Sequence, residues 1–223
     1  MKGAGKIVTF LGNATYLNSV IPNNHITDVF IDLSHAYVEG YTNVSSTYGK
    51  MKTITIVNPM RIVLPYKDIV NYHFVDTGIK YKKKNPGYAY TKGVSNDVIE
   101  TINRRIRIAK LLTLILLRID DDILLLDSDV LLPRSLPRFE GTSTICIPTK
   151  AKPNEKIIEF CKSTNLFIPY EVREKLLDII DGYMIHEKYI PSPIDLYIHE
   201  RLHSNVIRMK GVCHYVDGDL VCL

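Results

Sequence analysis

The sequence predicts an α/β fold with a mainly parallel central sheet flanked by helices, in a single domain. Three observations predict it. Short apolar runs closed by turn residues alternate with stretches of helical period, the pattern of strands joined through helices. The run Ile123-Leu-Leu-Leu126 is apolar at every position, as in a strand buried on both faces. The chain has 223 residues, 46% of them hydrophobic, enough to bury a core without staples, and no linker, repeat or low-complexity tract divides it.

Taken in order, Lys6 to Leu11 and Val29 to Leu33 read as buried strands. Ala36 to Lys50, rich in Tyr, Ser, Thr and Gly, reads as a long loop, and Thr53 to Val57 as a β-branched strand stopped by Asn58-Pro59. Tyr72 to Val75 is a further strand, followed by a basic loop, Lys80 to Lys92. The strongest helix starts after Ser95 or Asn96, with Asp97 in its first turn where the helix dipole favours an acid. Val98, Ile102, Ile106, Ala109 and Leu112 share one face of it, and Arg104, Arg105 and Arg107 lie mostly elsewhere. After a turn at Asp120 to Asp122 comes the Ile123 to Leu126 strand, then a strand over Thr144 to Ile147. Glu155 to Cys161 and Glu171 to Ile180 read as helices, Tyr183 to Ile185 as a strand and Ile194 to Leu202 as a helix after Pro191-Ser-Pro193. Val206 to Met209 and Val212 to Val216 close the chain as strands.

Composition narrows the function classes. The longest mid-chain aliphatic run, Leu111 to Leu117, is far short of the roughly 20 apolar residues a spanning helix needs. The first residues lack the apolar core of a secretory signal, so a cytoplasmic protein is expected, free or peripheral to a membrane. A net charge of +4 does not by itself imply nucleic acid. Cys146, Cys161, Cys213 and Cys222 form no C-x-x-C pair, and buried reduced thiols are the expectation. With 28 isoleucines and no glutamine the chain fits a hot organism, in which intracellular disulfides occur; with 13 asparagines it fits AT-rich coding bias equally. The sequons at Asn13 and Asn43 carry no weight without a secretory route.

The chemistry concentrates after the apolar strand, at Asp127-Ser128-Asp129. In open α/β sheets ligands bind beyond the carboxyl ends of the strands. Residues two apart in extended chain point the same way, so Asp127 and Asp129 can present two carboxylates to one point. Hard cations such as Mg²⁺ or Mn²⁺ favour carboxylate and phosphate oxygens together. A solvated acidic turn is the plainer alternative, and it suffices for Asp120 and Asp121.

Leu124-Leu-Leu-Asp-Ser-Asp-Val-Leu-Leu-Pro-Arg-Ser-Leu136 resembles the D-x-D segment of GT-A-fold glycosyltransferases. The resemblance runs on, in order, to about Asp219. Gly182-Tyr-Met-Ile-His186 looks like the strand near the acceptor pocket, Ser192 to Arg201 like the helix that begins with a catalytic acid, and Gly211 to Gly218 like the late segment whose histidine completes a metal site. The resemblance implies a GT-A-like domain over 1–223, with about 1–130 as the nucleotide-sugar half and about 131–223 as the acceptor half. It implies a metal-dependent, hexosyltransferase-type enzyme that moves a sugar from a nucleotide-diphosphate donor to the hydroxyl of a glycan, protein or lipid.

On that reading Asp127, Asp129 and His214 hold the Mn²⁺ or Mg²⁺. Arg104, Arg107, Ser128 and Gly182 contact substrate, and Asp195 is the general base. Asp195 reads equally as a helix cap, His214 as a buried strand histidine, and the arginines as a solvated helix face; His186 and His199 read as structural. The acid pair common in inverting members is Ile194-Asp195 here, and the H-x-x-G-x-x-K pattern of retaining members is not met, so the stereochemical course stays open. The Tyr37, Tyr41 and Tyr48 rings could stack on a base, and the Lys82 to Lys84 run could attract an anion, although solvated loops explain both. The competing functions are a non-catalytic nucleotide-sugar or carbohydrate-binding module and a sugar-phosphate nucleotidyltransferase. For the latter, Gly3-Ala-Gly5-Lys6 stands before the first strand rather than after it.

Overall fold

The computed structural model describes residues 5–10, 16–33, 66, 68–79, 96–150, 157–185, 194–216 and 218–223. The loops expected over Ala36 to Lys50 and Lys80 to Lys92, the strand over Thr53 to Val57, both sequons and His186 lie outside these residues.

The architecture is mixed α/β. Strands β1 (Lys6–Phe10), β2 (Asp28–Asp32) and β3 (Asn71–Val75) are followed by β4 (Ile123–Leu126) and the short β5 (Val130–Leu131). Then come β6 (Ser143–Lys150), β7 (Ile157–Ile168), β8 (Asn205–Ile207), β9 (Cys213–Val216) and β10 (Asp219–Cys222). Helix α1 is Leu17–Asn24, α2 is Asn96–Arg118, α3 is Arg173–Ile185 and α4 is Ile194–Leu202. Seven strands form the central sheet in the order β3-β2-β1-β4-β7-β6-β8, and β10-β9-β5 form a small second sheet. β3, β2, β1 and β4 are mutually parallel, β7 runs antiparallel to both β4 and β6, and β8 is parallel to β6.

Strand alternation splits the core into two layers. Ile123 and Leu125 of β4 pack with Phe30, Leu166 and Ile168 beneath α2, α3 and α4, where Ile115, Ile180 and Ile198 are fully buried. Leu124 and Leu126 point to the other face, with Val29, Ile31, Ile145 and the α1 residues Leu17, Val20 and Ile21. β4 is thus covered on both sides, which is why its sequence is apolar throughout.

Three expectations are corrected. The helix expected over Glu155 to Cys161 does not form in its described part: the chain from Ile157 to Ile168 is a strand, antiparallel to β6 from Lys150↔Ile157 to Ser143↔Phe167 with a register shift between Thr144 and Cys146. Its β-branched and aromatic residues suit a strand, and its pairing with β6 and β4 outweighs the short helical pattern. Tyr183 to Ile185 is not a strand but the last turn of α3, because Leu176, Ile180 and Tyr183 fall on one buried helical face. Gly182, expected near an acceptor strand, is therefore helical, and a Cβ there would sit 3.6 Å from the Tyr197 hydroxyl. Finally, three of the cysteines are not reduced thiols: Cys213 and Cys222, directly opposite in the β9–β10 register, form a disulfide, and the buried Cys146 is also disulfide-bonded. Sequence periodicity missed α1, which has Pro22 inside it, and the short strands β5 and β10. No helix among the described residues is long and apolar enough to cross a membrane.

Candidate functional site

The central sheet has a switch point. The chain moves outward from β1 to β2 and β3, then returns to the opposite side of β1 as β4. Strand order reverses between β1 and β4, and a crevice beyond their carboxyl ends is the general ligand position in such sheets. Asp127, Ser128 and Asp129 are the first residues past β4.

Each acid has its own setting. The Asp127 backbone N–H donates to Oδ1 of Asn165 at 3.0 Å, and Nδ2 of Asn165 donates to Asp127 Oδ2 at 3.4 Å. Asp129 Oδ2 lies 3.4 Å from His214 Nε2, whereas Asp129 Oδ1 is buried and accepts no hydrogen bond. β9 delivers the histidine: His214 pairs with Val130 in register, and Tyr215 N–H donates to the Asp129 carbonyl at 2.9 Å. His214 Nδ1 is 3.0 Å from the Pro148 carbonyl, which can only accept, so Nδ1 carries a proton. In the neutral ring Nε2 then turns a lone pair toward a carboxylate. Two acceptors face each other, and either a proton on Nε2 or a cation reconciles them.

The surroundings hold this turn in place. Asn24, buried at the end of α1, donates to the Val130 carbonyl at 2.7 Å and accepts from Leu132 N–H at 2.8 Å, acting as a strand partner for β5. The Thr9 hydroxyl donates to the Leu126 carbonyl at 2.8 Å, which ties the ends of β1 and β4. Tyr16 stacks on Tyr215 with centroids 4.2 Å apart. Ser128 is buried between the two acids.

The remaining candidates separate from this cluster. Arg104 is exposed on α2. Arg107 is buried rather than on a solvated face, and its Nη1 pairs with Asp32 Oδ2 at 3.6 Å. Asp32, the last residue of β2, also accepts from the Thr77 N–H at 3.2 Å and its hydroxyl at 2.8 Å. Gly182 lies against α4. Asp195 is the second residue of α4, and His199, one turn on, bonds the Ser204 hydroxyl at 2.7 Å. No group of three His, Cys, Asp or Glu side chains able to hold a metal ion occurs among the described residues. What the structure joins is therefore Asp127 with Asn165 and Asp129 with His214. Asn165 and Asp32 carried a signal only in part: Asp32 is an acid ending an apolar strand, but Asn165 is reached only through the β4–β7 register.

The fold and site define an α/β protein with an open sheet whose switch point is edged by paired acids and a histidine. The chain belongs to the family of the uncharacterized protein ORF238 of Acidianus filamentous virus 2, to which it is 38% identical over 228 aligned positions, 94% of this chain and 96% of that protein. Two shorter matches are ORF208 of the same virus, 34% identical over 51% of this chain and 55% of that protein, and protein 209 of Sulfolobus islandicus rod-shaped virus 1, 33% identical over 51% and 57%. These relatives come from viruses of thermophilic archaea. No protein-family model matches the chain, and no solved structure matches it significantly.

Proposed function

We propose that the protein is a metal-dependent glycosyltransferase of GT-A-like fold, taking a nucleotide-diphosphate sugar as donor and a hydroxyl as acceptor. One observation carries the reading: paired carboxylates leave a fully buried strand at the sheet's switch point, and a histidine whose other nitrogen is already engaged faces one of them. No three protein donors converge among the described residues, so the reading needs a hard divalent cation held by two carboxylates and completed by donor phosphate oxygens. Asp129 has a buried oxygen without a hydrogen bond, and His214 donates from Nδ1 to a backbone carbonyl, as metal-binding histidines usually do. Mn²⁺ or Mg²⁺ would be held by Asp127 and Asp129, with His214 beside Asp129, and would supply Lewis-acid stabilisation of the leaving diphosphate.

The chain's own groups do the rest. Asn165 and His214 orient the two carboxylates, and Asn24 fixes the backbone that follows them. Arg104, exposed on α2, is available to phosphate oxygens, whereas Arg107 acts through Asp32. Asp195, at the start of α4, takes the acceptor proton if the reaction inverts.

The test is thermal melting with Mn²⁺, with and without nucleoside diphosphates, followed by a nucleotide-sugar panel read out as released diphosphate. Ligands that bind the native state raise Tm by mass action. Joint stabilisation by metal and diphosphate, with turnover, supports the transferase. Stabilisation without turnover supports a binding module, and no response to either ligand removes the reading.

A further inference from the structure

We propose that Asn165 is a positioning residue that sets the Asp127 carboxylate for its cation; the inference rests on the cation reading of Asp127 and Asp129 above. Asn165 is fully buried, and Leu166, Phe167 and Ile168 follow it in β7 as buried apolar residues. A buried amide is costly unless its hydrogen bonds are made, so its full burial at the head of an apolar run asks for a reason. Both contacts go to a single residue. Backbone N–H can only donate, so the amide oxygen faces Asp127 N at 3.0 Å and the amide nitrogen is left on the carboxylate side, 3.4 Å from Oδ2.

The backbone contact alone would not require asparagine, since an aspartate accepts equally well. Only the amide adds a donor for the carboxylate. Aspartate would set like charges together, and leucine of similar size would make neither bond. Asn165 therefore pins the side chain and the main chain of Asp127 at once, whereas at Asp129 the two contacts are divided, His214 facing the carboxylate and Tyr215 N–H donating to the carbonyl. Removing outer partners of this kind typically costs about ten- to a hundredfold in metal affinity.

The experiment uses Mn²⁺ alone as probe, with free Mn²⁺ measured by electron paramagnetic resonance and Tm measured with and without the ion. Asn165→Leu, verified as folded by circular dichroism, is expected to bind Mn²⁺ about ten- to a hundredfold more weakly, with a smaller Mn²⁺-induced rise in Tm. Because the residue acts through Asp127, adding Asn165→Leu to Asp127→Asn should weaken binding no further. If Asn165→Leu does not fold, Asn165→Ser takes its place with the same expectation. A folded variant with wild-type Mn²⁺ affinity and an unchanged Mn²⁺-induced rise in Tm overturns the positioning role and leaves the cation reading standing. Wild-type protein that does not bind Mn²⁺ overturns the cation reading, and this inference with it.

Discussion

Asp127 and Asp129 lie two residues apart yet are held by different elements, Asp127 by β7 through Asn165 and Asp129 by β9 through His214. On the proposed reading, Asp127→Ala and Asp129→Ala should each abolish metal-dependent nucleotide binding, measured by the Mn²⁺ and diphosphate shift in Tm. The fold should survive, since both residues are only half-buried and lie past the end of the strand. The acids were legible in the sequence because a charge that ends an apolar run has few readings. Asn165 was not, since nothing local separates it from any other strand asparagine; it acquires meaning only when Leu166 comes opposite Leu125. Asp219 allows a separate check. The Lys150 ammonium, 2.7 Å away, bonds its carboxylate and holds it below its ordinary value of 3.8. A lowered carboxyl pKa adds stability that is present above the ordinary value and lost as pH falls through the lowered one. Asp219→Asn should therefore melt slightly below wild type from roughly pH 7 to 5, and the gap should close in more acid solution. The gap is small because the pair is exposed to solvent.

Among the elements, the β9–β10 hairpin carries the most testable burden. β9 is the middle strand of the small sheet and holds His214, while β10 ends the chain and is pinned to it by four register pairs and the Cys213–Cys222 disulfide. Closing a loop of this sequence separation, 9 residues, is worth about 2.5 kcal/mol in the chain-entropy account. Cys213→Ser with Cys222→Ser should lower Tm by roughly 5 to 10 °C, read by calorimetry under non-reducing conditions. An unchanged Tm would mean that the hairpin stands on its hydrogen bonds alone. Expecting free thiols was reasonable from spacing, because the two cysteines meet across a turn that nothing in their intervals announces. β7 teaches the same lesson: Ile157-Ile158 and Phe160 suit a helix or a strand, and only β6 beside them decides. Where an element is set by its own pattern, as in α2 and β4, the sequence and the structure agree.

At the scale of the molecule, the parallel strands and their pairing were legible, whereas β6, β8 and β9 were legible as strands but not in their partners. β1, β2, β3 and β4 are parallel neighbours, so the alternation of apolar strands with helical stretches suffices to infer their company. β7 inserts between β4 and β6 against the chain's direction, and no local pattern records that insertion. The arrangement brings parts remote in sequence together: Asp127 and Asp129 follow β4 and His214 of β9 faces Asp129, whereas Asp195 stands near the start of α4, which packs on β7. On the proposed reading these parts have separable duties. Asp195→Asn should leave Mn²⁺ and donor binding nearly intact, since the residue would meet only the acceptor, while turnover falls about a hundred- to ten-thousandfold with loss of the general base. His214→Ala should instead weaken metal and donor together, because it removes a group that faces Asp129. Measuring Mn²⁺ affinity beside single-turnover rates separates the two, since one variant loses binding and the other loses only the chemical step. If Asp195→Asn turns over at the wild-type rate, the acceptor proton leaves by another group, and a retaining course, which needs no such base, becomes the better account of the site.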